Sequence, residues 1–439
     1  MKKLLRDSVG ATIFTMVFLW ILATAFSNIN LEIVNPIGKV LSDFEITDVY
    51  FSHLKEKELA DTNIVMVNIG DLDRAGIAEL IDSISKYKPK VIGIDAFFRK
   101  PKNPESDSLL AAAFSRVENL VLVSKVLNPL ENSEVWDSLE LSHPMFSRHA
   151  ESGMSNMISE GYDKFKTSRE FPKMEIYRKK TPVYDPATHE IIKWNYKDTM
   201  ELAFGAKLAS YIDSNAIKKL LTRDTHVEVI NFGGNFIPSE HVENLENSQM
   251  KYFALDIYDV LMDPDHDLSL VKDKIVIMGY MGPSFHKITW EDKFFTPLNP
   301  NYMGKANPDM YGVVVHANIV SMILNGNYIN NFPDWFTIII NFVIIFLNIY
   351  FFGYLFVKLE HWYDGVTLVV TLIEASLFTG IIITVFHNYN YKIDLTFCTV
   401  ALFLTGNLIE LYHGFIVPLI DKIKIYFVNL RTSNKPSTI

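Results

Sequence analysis

Asp71, Asp73 and Asp95, Asn231 with Gly233 and Gly234, Tyr280 with Gly282, and His316 with Asn318 are the positions where this chain could bind a polar molecule. The cluster Asp292, Phe294, Thr296 and Pro297 joins them. Each follows an apolar run that reads as a strand, or opens the helix after it. In an open parallel sheet, ligands sit beyond the carboxyl ends of the strands. Carboxylates, amides and an imidazole in such loops offer hydrogen bonds and charge, which is the chemistry of a binding cleft.

The same residues have plainer roles. Asp71, Asp95 and Asn231 suit turn and helix caps, where a short polar side chain accepts backbone N–H groups. Gly233 and Gly234 suit turn geometry, and His316 reads equally as a histidine satisfied within the fold. His286, Asp292 and His316 lack a diagnostic metal-ligand spacing, so no metal is expected. The Walker loop, the dinucleotide G-x-G-x-x-G, H-E-x-x-H and G-x-S-x-G are all missing. Neither a cofactor nor an enzymatic activity is expected.

The formal net charge is −10, and no stripe of Lys and Arg crosses the polar part of the chain. Nucleic acid, which needs clustered cations, is therefore not an expected partner. The single cysteine, Cys398, lies in the last apolar run. Disulfides, cysteine metal sites and a soluble thiol nucleophile are thereby excluded.

The elements that must position these residues divide between two environments. Residues 9–27, 335–357, 366–386 and 395–417 are apolar runs. Each can cross a hydrocarbon core of about 30 Å at about 1.5 Å per residue. Lys2, Lys3 and Arg6 precede the first run, which is longer than the roughly 7 to 15 apolar residues of a cleavable signal, so it reads as a retained anchor. Positive charge marks the cytoplasmic side. Residues 1–8 and the tail 418–439 are accordingly expected inside, and residues 28–334 outside the cytoplasm. Glu374, Asn407 and Glu410 lie within the third and fourth runs, with no Lys or Arg there to neutralise them. Three readings follow: protonated groups bonded within the bundle, contacts to a partner's helices, or a relay.

The polar region alternates strand-like and helix-like segments. Strands are expected at Ile64–Ile69, Val91–Phe98 and Leu120–Val126, with helices at Ala75–Tyr87 and Ser106–Val117 between them. A helix leading away from the membrane is expected within Leu31–Ala60. Further on, a strand pair is expected around Met174–Trp194, a helix at Lys197–Tyr211, and a strand at Val227–Phe232. A helix near Ala254–Leu261, a strand at Ile275–Met281, and a helix from His316 to Leu324 running into the last three spans complete the reading, the later strands extending the same sheet. The fold class is an α/β extracytoplasmic domain, a mostly parallel sheet with flanking helices, plus four transmembrane α-helices.

Several blocks, in this order, carry a family resemblance. Ile64–Val67 is followed by Asp71, Pro89–Asp95 by Phe98, and Asn119–Leu122 comes next. Gly153 with Asn156, Thr167–Phe171 and Ile230–Phe232 follow, then Asp273–Gly279, Asp292 with Phe294, Thr296–Pro297, and Gly312–Asn318. With one span before and three after, the chain resembles a CHASE domain of the second type, a sensory extracellular module. The loop after Asp71 departs from the family pattern, being short and without its Trp-Pro and Arg elements. The resemblance implies that an extracytoplasmic signal is sensed and passed through the membrane. It adds Arg169 to the candidate ligand-binding residues Asp71, Asp95, Asn231, Asp292, Thr296, His316 and Asn318.

No output domain is expected after the last span, and the expected partners are the lipid bilayer, a membrane protein that supplies the output, and a small ligand or envelope component. The expected location is the bacterial cytoplasmic (inner) membrane, with both termini cytoplasmic. The alternative is a structural subunit of a membrane complex that senses nothing.

Overall fold

Ile64–Val67, Val91–Ile94 and Ile275–Met278 are apolar or glycine at every position, a composition that suits strands covered on both faces. The computed structural model describes residues 2–28, 45–131, 133–156, 167–185, 191–239, 250–263, 266–300, 307–359, 362–393 and 395–433. Two compact units are present, Met1–Ser42 with Asn330–Ile439, and Asp43–Ile329.

In chain order the elements begin with α1 (Lys2–Asn28), and α2 (Ile46–Val49) continued by a wider turn, Tyr50–Leu54. The α/β alternation follows with β1 (Asp61–Asn68), α3 (Arg74–Ser85), β2 (Val91–Asp95), α4 (Pro104–Arg116) and β3 (Leu120–Pro129). Next come β4 (Val135–Glu140), α5 (Pro144–Ser147), β5 (Glu151–Met154), β6 (Glu170–Pro172), β7 (Met174–Tyr184) and β8 (Ile191–Leu202). They lead to α6 (Phe204–Ala209), α7 (Ser214–Leu221), β9 (Val227–Val229), β10 (Asn235–Pro238), β11 (Met250–Leu255) and α8 (Ile257–Leu261). The unit ends with β12 (Ile275–Gly279), β13 (Lys293–Phe294), β14 (Met310–Tyr311) and α9 (Gly312–Asn325).

One ten-stranded sheet runs in the order β10-β11-β1-β12-β2-β3-β4-β7-β8, with β5 beside β3. The strands from β10 to β3 pair in parallel. β4 then pairs antiparallel to β3, and β8 antiparallel to β7. The sheet is therefore mixed, with its parallel half where the sequence alternates strand and helix.

Helices cover both faces of that half. Val65, Val67, Ile92, Ile94, Val276 and Met278 point to one side and pack with Ile77, Leu80, Ile81 and Ile84 of α3 and Leu110 and Phe114 of α4. There Arg74 pairs with Asp107, and its guanidinium lies 5.0 Å from the ring centre of Phe146. On the other side α6 and α9 pack together. A Cβ on Gly93 would come within 2.9 Å of Leu208 and Phe204, and one on Gly279 equally close to Val313. Missing side chains in the strands let these helices approach.

Local order follows from caps. Asp73 accepts from Gly76 N–H ahead of α3, and Asn103 from Glu105 and Ser106 N–H ahead of α4, with Pro104 in the first turn.

Several expected elements differ. The helix expected at Lys197–Tyr211 is instead strand to Leu202, because Lys179↔Lys197 and Met174↔Leu202 belong to one antiparallel ladder; only Phe204–Ala209 is helical. The helix expected at Ala254–Leu261 starts at Ile257, since Met250–Leu255 is inserted as a parallel strand between β10 and β1. The strand at Val227 ends at Val229 and pairs with β6 outside the main sheet, so it does not extend that sheet. The helix expected from His316 starts at Gly312 and stops at Gly326, whose φ of 62° is left-handed, so it does not run into the spans. Of the helix expected within Leu31–Ala60, Ile46–Leu54 is helical, and residues 31–44 lie outside the described residues.

The other unit consists of α1, a short strand β15 (Asn330–Asn331), α10 (Asp334–Leu359), α11 (Tyr363–Tyr389), β16 (Tyr391–Lys392) paired with β15, α12 (Thr396–Leu411) and α13 (Val417–Ser433). Among the described residues, four helical stretches are long and apolar enough to cross a membrane: Leu4–Leu22, Asp334–Leu359, Tyr363–Tyr389 and Cys398–Tyr426. They pack through small residues, as expected where lipid removes the hydrophobic drive between helices. Gly10 abuts Tyr412, Gly353 lies against Leu4 and Ser8, and Gly406 against Thr367.

Gly93→Ala should test the packing of α6 on the sheet. The added methyl must displace Leu208 and Phe204, and thermal unfolding of the full chain should show a loss of about 1–3 kcal/mol.

Candidate functional site

The carboxyl ends of β1, β11 and β12 are joined by a residue that sequence reasoning did not single out. Asn68, the last residue of β1, is fully buried. Its Nδ2 donates to Asp256 Oδ1 (2.9 Å) and Gly282 O (3.0 Å), and its Oδ1 accepts from Gly70 N and Met281 N, both at 2.9 Å. Asp256 also accepts from Phe285 N (3.0 Å). One amide thus ties the loops after three strands. A polar residue closing the apolar run Ile64–Val67 was the available signal. Asp71, in the first of these loops, is exposed.

Asp95 and His316 are brought together. Asp95 ends β2, and His316 stands in the second turn of α9 with Nε2 at 3.9 Å from Asp95 Oδ2, too far for a hydrogen bond and within ion-pair range when the imidazole is protonated. Phe204 meets the imidazole edge to face, with ring centres 5.0 Å apart.

Asn318, fully buried two residues on, spends its amide on the fold. Its Oδ1 accepts from Gly233 N (2.7 Å), Gly234 N (3.2 Å) and Tyr252 Oη (3.1 Å), while its Nδ2 donates to Gly234 O and Val314 O, both at 2.9 Å. Gly233 leaves room for the Lys251 side chain, which a Cβ 2.3 Å from its Nζ would displace. Ser321, one turn further along α9, donates to Asp61 Oδ2 (2.6 Å).

Asn231 and Arg169 lie where the chain enters and leaves the domain. Asn231 Oδ1 accepts from Lys55 Nζ (2.8 Å), and its Nδ2 donates to Asn327 O (3.2 Å). Lys55 also donates to Phe232 O (2.6 Å) and pairs with Glu58, which in turn pairs with Lys251. Burial holds the Lys55 ammonium below its ordinary value, against the pull of Glu58. Burial raises the Glu58 carboxyl, but Lys55 and Lys251 outweigh it and leave that group below the usual range. Arg169 grips Asp48 with two bonds, 3.0 and 2.6 Å; Asp48 is buried and Arg169 largely covered. Burial pushes the Asp48 carboxyl up despite this partner. Residues 45–58 are thereby fastened at both ends.

Asp292 and Thr296 shape the loop before α9. Asp292 has a left-handed φ of 55°, and its carbonyl accepts from Gly312 N (3.0 Å). Thr296 donates to Asp309 through its N–H (2.9 Å) and its hydroxyl (2.6 Å). Burial pushes the Asp309 carboxyl up to about 7.

The expected set is therefore distributed. Asp95 meets His316, Asn231 follows Ile230, whose N–H donates to Arg169 O (2.8 Å), and Asn318 and Thr296 are braces. Among the described residues, no group of three or more His, Cys, Asp or Glu could hold a metal ion. A cavity of about 150 Å³ opens instead beside β3 and β5, lined by Leu122, Val123, Ser142, Pro144, Arg148 and Glu151 among others. Its size suits a molecule near that of benzene, and its wall combines an apolar floor with a cation and an anion. None of the sequence candidates lines it.

In the unit of long apolar helices, Glu374 accepts from Asn348 Nδ2 of the neighbouring helix (2.6 Å). Asn407 and Glu410, three residues apart on α12, are both exposed.

A carboxyl whose folded value lies above its ordinary 3.8 binds its proton more tightly in the folded state. The stability it contributes is present in acid and lost as pH rises through about 7. Asp309→Asn, which keeps a neutral group there, should flatten the fall in thermal stability expected of the unsubstituted chain between pH about 4 and about 7.

Comparison with known proteins bears on the whole chain. No curated protein and no solved structure matches it. The family model described as CHASE2 domain matches residues 20–356, from within α1 to within α10, and the chain belongs to the CHASE2 domain family of sensory domains.

Proposed function

We propose that this chain is a non-enzymatic membrane sensor whose outer domain binds a small ligand or an envelope component and hands the signal to a separate membrane protein. Membership in a sensory family supports the first half. The observation that carries the reading is Asn231. Its one amide holds Lys55, in the segment that follows the first apolar helix, and Asn327, just ahead of the second. A shift in the domain that moves the loop at Asn231 acts on both connections at once. That is what a sensor needs if ligand binding is to redistribute two states of the membrane helices.

The cavity lined by Arg148 and Glu151 is the proposed ligand site, with Asp95 and His316 as a second polar locus at the carboxyl ends of the strands. The output partner is proposed to dock on the face of α12 that carries Asn407 and Glu410. Exposed polar groups at membrane depth are costly in lipid, and a partner's helix that bonds to them removes the cost. The proposed setting is the bacterial cytoplasmic membrane, with the large domain outside and both termini inside.

Asn231→Ala leaves the buried Lys55 ammonium with one acceptor fewer, and should cost about 1–3 kcal/mol. Hydrogen exchange on the full chain should then rise in residues 45–58 and around Asn327 together, while β1 and β12 stay protected. A rise in one segment alone would break the proposed coupling. A thermal-shift screen with small molecules and envelope extracts should find a stabiliser. In Asn231→Ala that stabiliser should still bind but no longer slow exchange at residues 45–58. A persistent blank from folded protein would favour the scaffold reading.

Mild-detergent purification should bring down a defined membrane protein. The double substitution Asn407→Leu, Glu410→Leu should release it, and retention would place the contact elsewhere.

A further inference from the structure

β8 closes one end of the sheet order, with β7 on one side; Ala203, just past its end, bridges to Met154 of β5, and among the described residues no strand pairs with Ile191–Asp198 on the other side. Its residues from Ile191 to Asp198 are exposed without a break. β7 in turn pairs with β4 along Val135↔Ile176 and Trp136↔Tyr177, and through the side chains Trp136–Glu175 and Lys180–Asp137. Beyond those pairs the hairpin is a two-stranded ribbon, a form that is marginal in water when left alone.

The register sorts its side chains by face. Pro182↔Trp194, Lys180↔Tyr196 and Ile176↔Met200 share one face, where Ile192, Trp194, Tyr196 and Met200 are all exposed. On the other face Lys179 stands directly opposite Lys197, with Lys193 two pairs along. Arg178 and Lys180 are paired with Asp198 and Asp137. Lys179, Lys193 and Lys197 take part in no ion pair among the described residues. Like charges directly opposed across a ladder repel, and here they do so in a chain whose net charge is −10.

We propose that the open edge of β8 binds, by strand addition, an extended acidic segment of a partner protein. In this segment Asp or Glu alternates with apolar residues, the acids facing Lys193 and Lys197 and the apolar side chains facing Trp194 and Tyr196. Main-chain bonds along a free edge supply affinity in such complexes, and alternate side chains supply specificity.

Two arguments choose this occupant. A second copy is disfavoured: antiparallel self-pairing centred on Asn195 would set Trp194 against Tyr196 of the other copy, but it also sets Lys193 against Lys197, and edge lysines are a known defence against such pairing. A lipid surface is flat and meets one face of the ribbon, whereas Lys179, Lys193 and Lys197 stand on the face opposite Trp194 and Tyr196, on whose own face the cations Arg178 and Lys180 are already paired. An added strand presents side chains to both. This surface lies at the opposite end of the sheet order from β10 and β11, and it stands whether or not Asn231 couples the two connections.

The test uses the full chain in discs of uncharged phosphatidylcholine and a fluorescent peptide of alternating Glu and Val. Fluorescence anisotropy should show salt-sensitive binding, weakened about tenfold or more in Lys193→Glu, Lys197→Glu. The same peptide methylated at its backbone nitrogens should not bind the unsubstituted chain, and that arm does not depend on any variant folding. Equal binding of the methylated peptide, unchanged binding by the double variant, or no binding of the Glu–Val peptide would overturn the proposal. So would displacement of the peptide by phosphatidylglycerol vesicles, which points to a lipid surface. Loss in the double variant of a self-association seen by ultracentrifugation would point to a second copy and overturn it equally.

Discussion

Helix α9 is buried from Gly312 to Ile323, and a helix shut off from water must find a partner within the protein for each polar group it carries. That requirement organises the domain around it. Asn318 takes up the backbone at Gly233 and Gly234 together with the Tyr252 hydroxyl, Ser321 takes up Asp61 at the start of β1, and His316 lies beside Asp95 at the end of β2. Polar residues that a surface helix would leave to solvent here register the helix against three strands and a loop. The apolar residues between them, Val313, Val314, Val315 and Ile319, supply burial without direction; the amide and hydroxyl groups supply the direction.

The same economy governs the entrance to the domain. Lys55 and Asp48 sit in a segment without strand partners, so their burial is tolerable only because Asn231, Glu58 and Arg169 meet them. Buried ions hold their places stringently, because taking away one member leaves the other stranded. A loop fastened in this way has few arrangements of similar energy, which is the condition for a discrete switch and unlike a loose tether.

The parallel half of the sheet was legible because strands buried on both faces have nowhere to put polar residues, and β1, β2 and β12 show it. The order and spacing of the blocks from Ile64 to Asn318 also pointed to the family that the match over residues 20–356 shows. Elsewhere, local pattern and long-range pairing disagreed. Lys197–Leu202 has helix-forming residues, but its ladder partner lies across the hairpin in β7. Ala254 and Leu255 read as the start of a helix, and Met250–Phe253 as nothing regular, because the strand partners of Met250–Leu255, Asp61–Val67 and Asn235–Pro238, are distant in the chain or across an uninformative stretch. For the site, residue type was legible and purpose was not. Asn318 and Asn231 are both amides after or within apolar runs, and only the atoms around them separate a brace within the core from a clamp on two connections. Asn68 escaped notice because an asparagine closing a strand looks like the first residue of a turn.

Gly326 ends α9 with a left-handed backbone, and a Cβ there would meet nothing within 4 Å. The glycine is therefore kept for its dihedral angle and not for room. A helix resists twisting because its hydrogen bonds run on without interruption, and this one is interrupted before Asn327. Rotation of α9 about its own axis thus has no rigid shaft to turn beyond that point. Asn327, just beyond it, is instead held from two sides, its N–H on Met322 O and its carbonyl on Asn231 Nδ2, so a push along the axis of α9 reaches it where a twist does not.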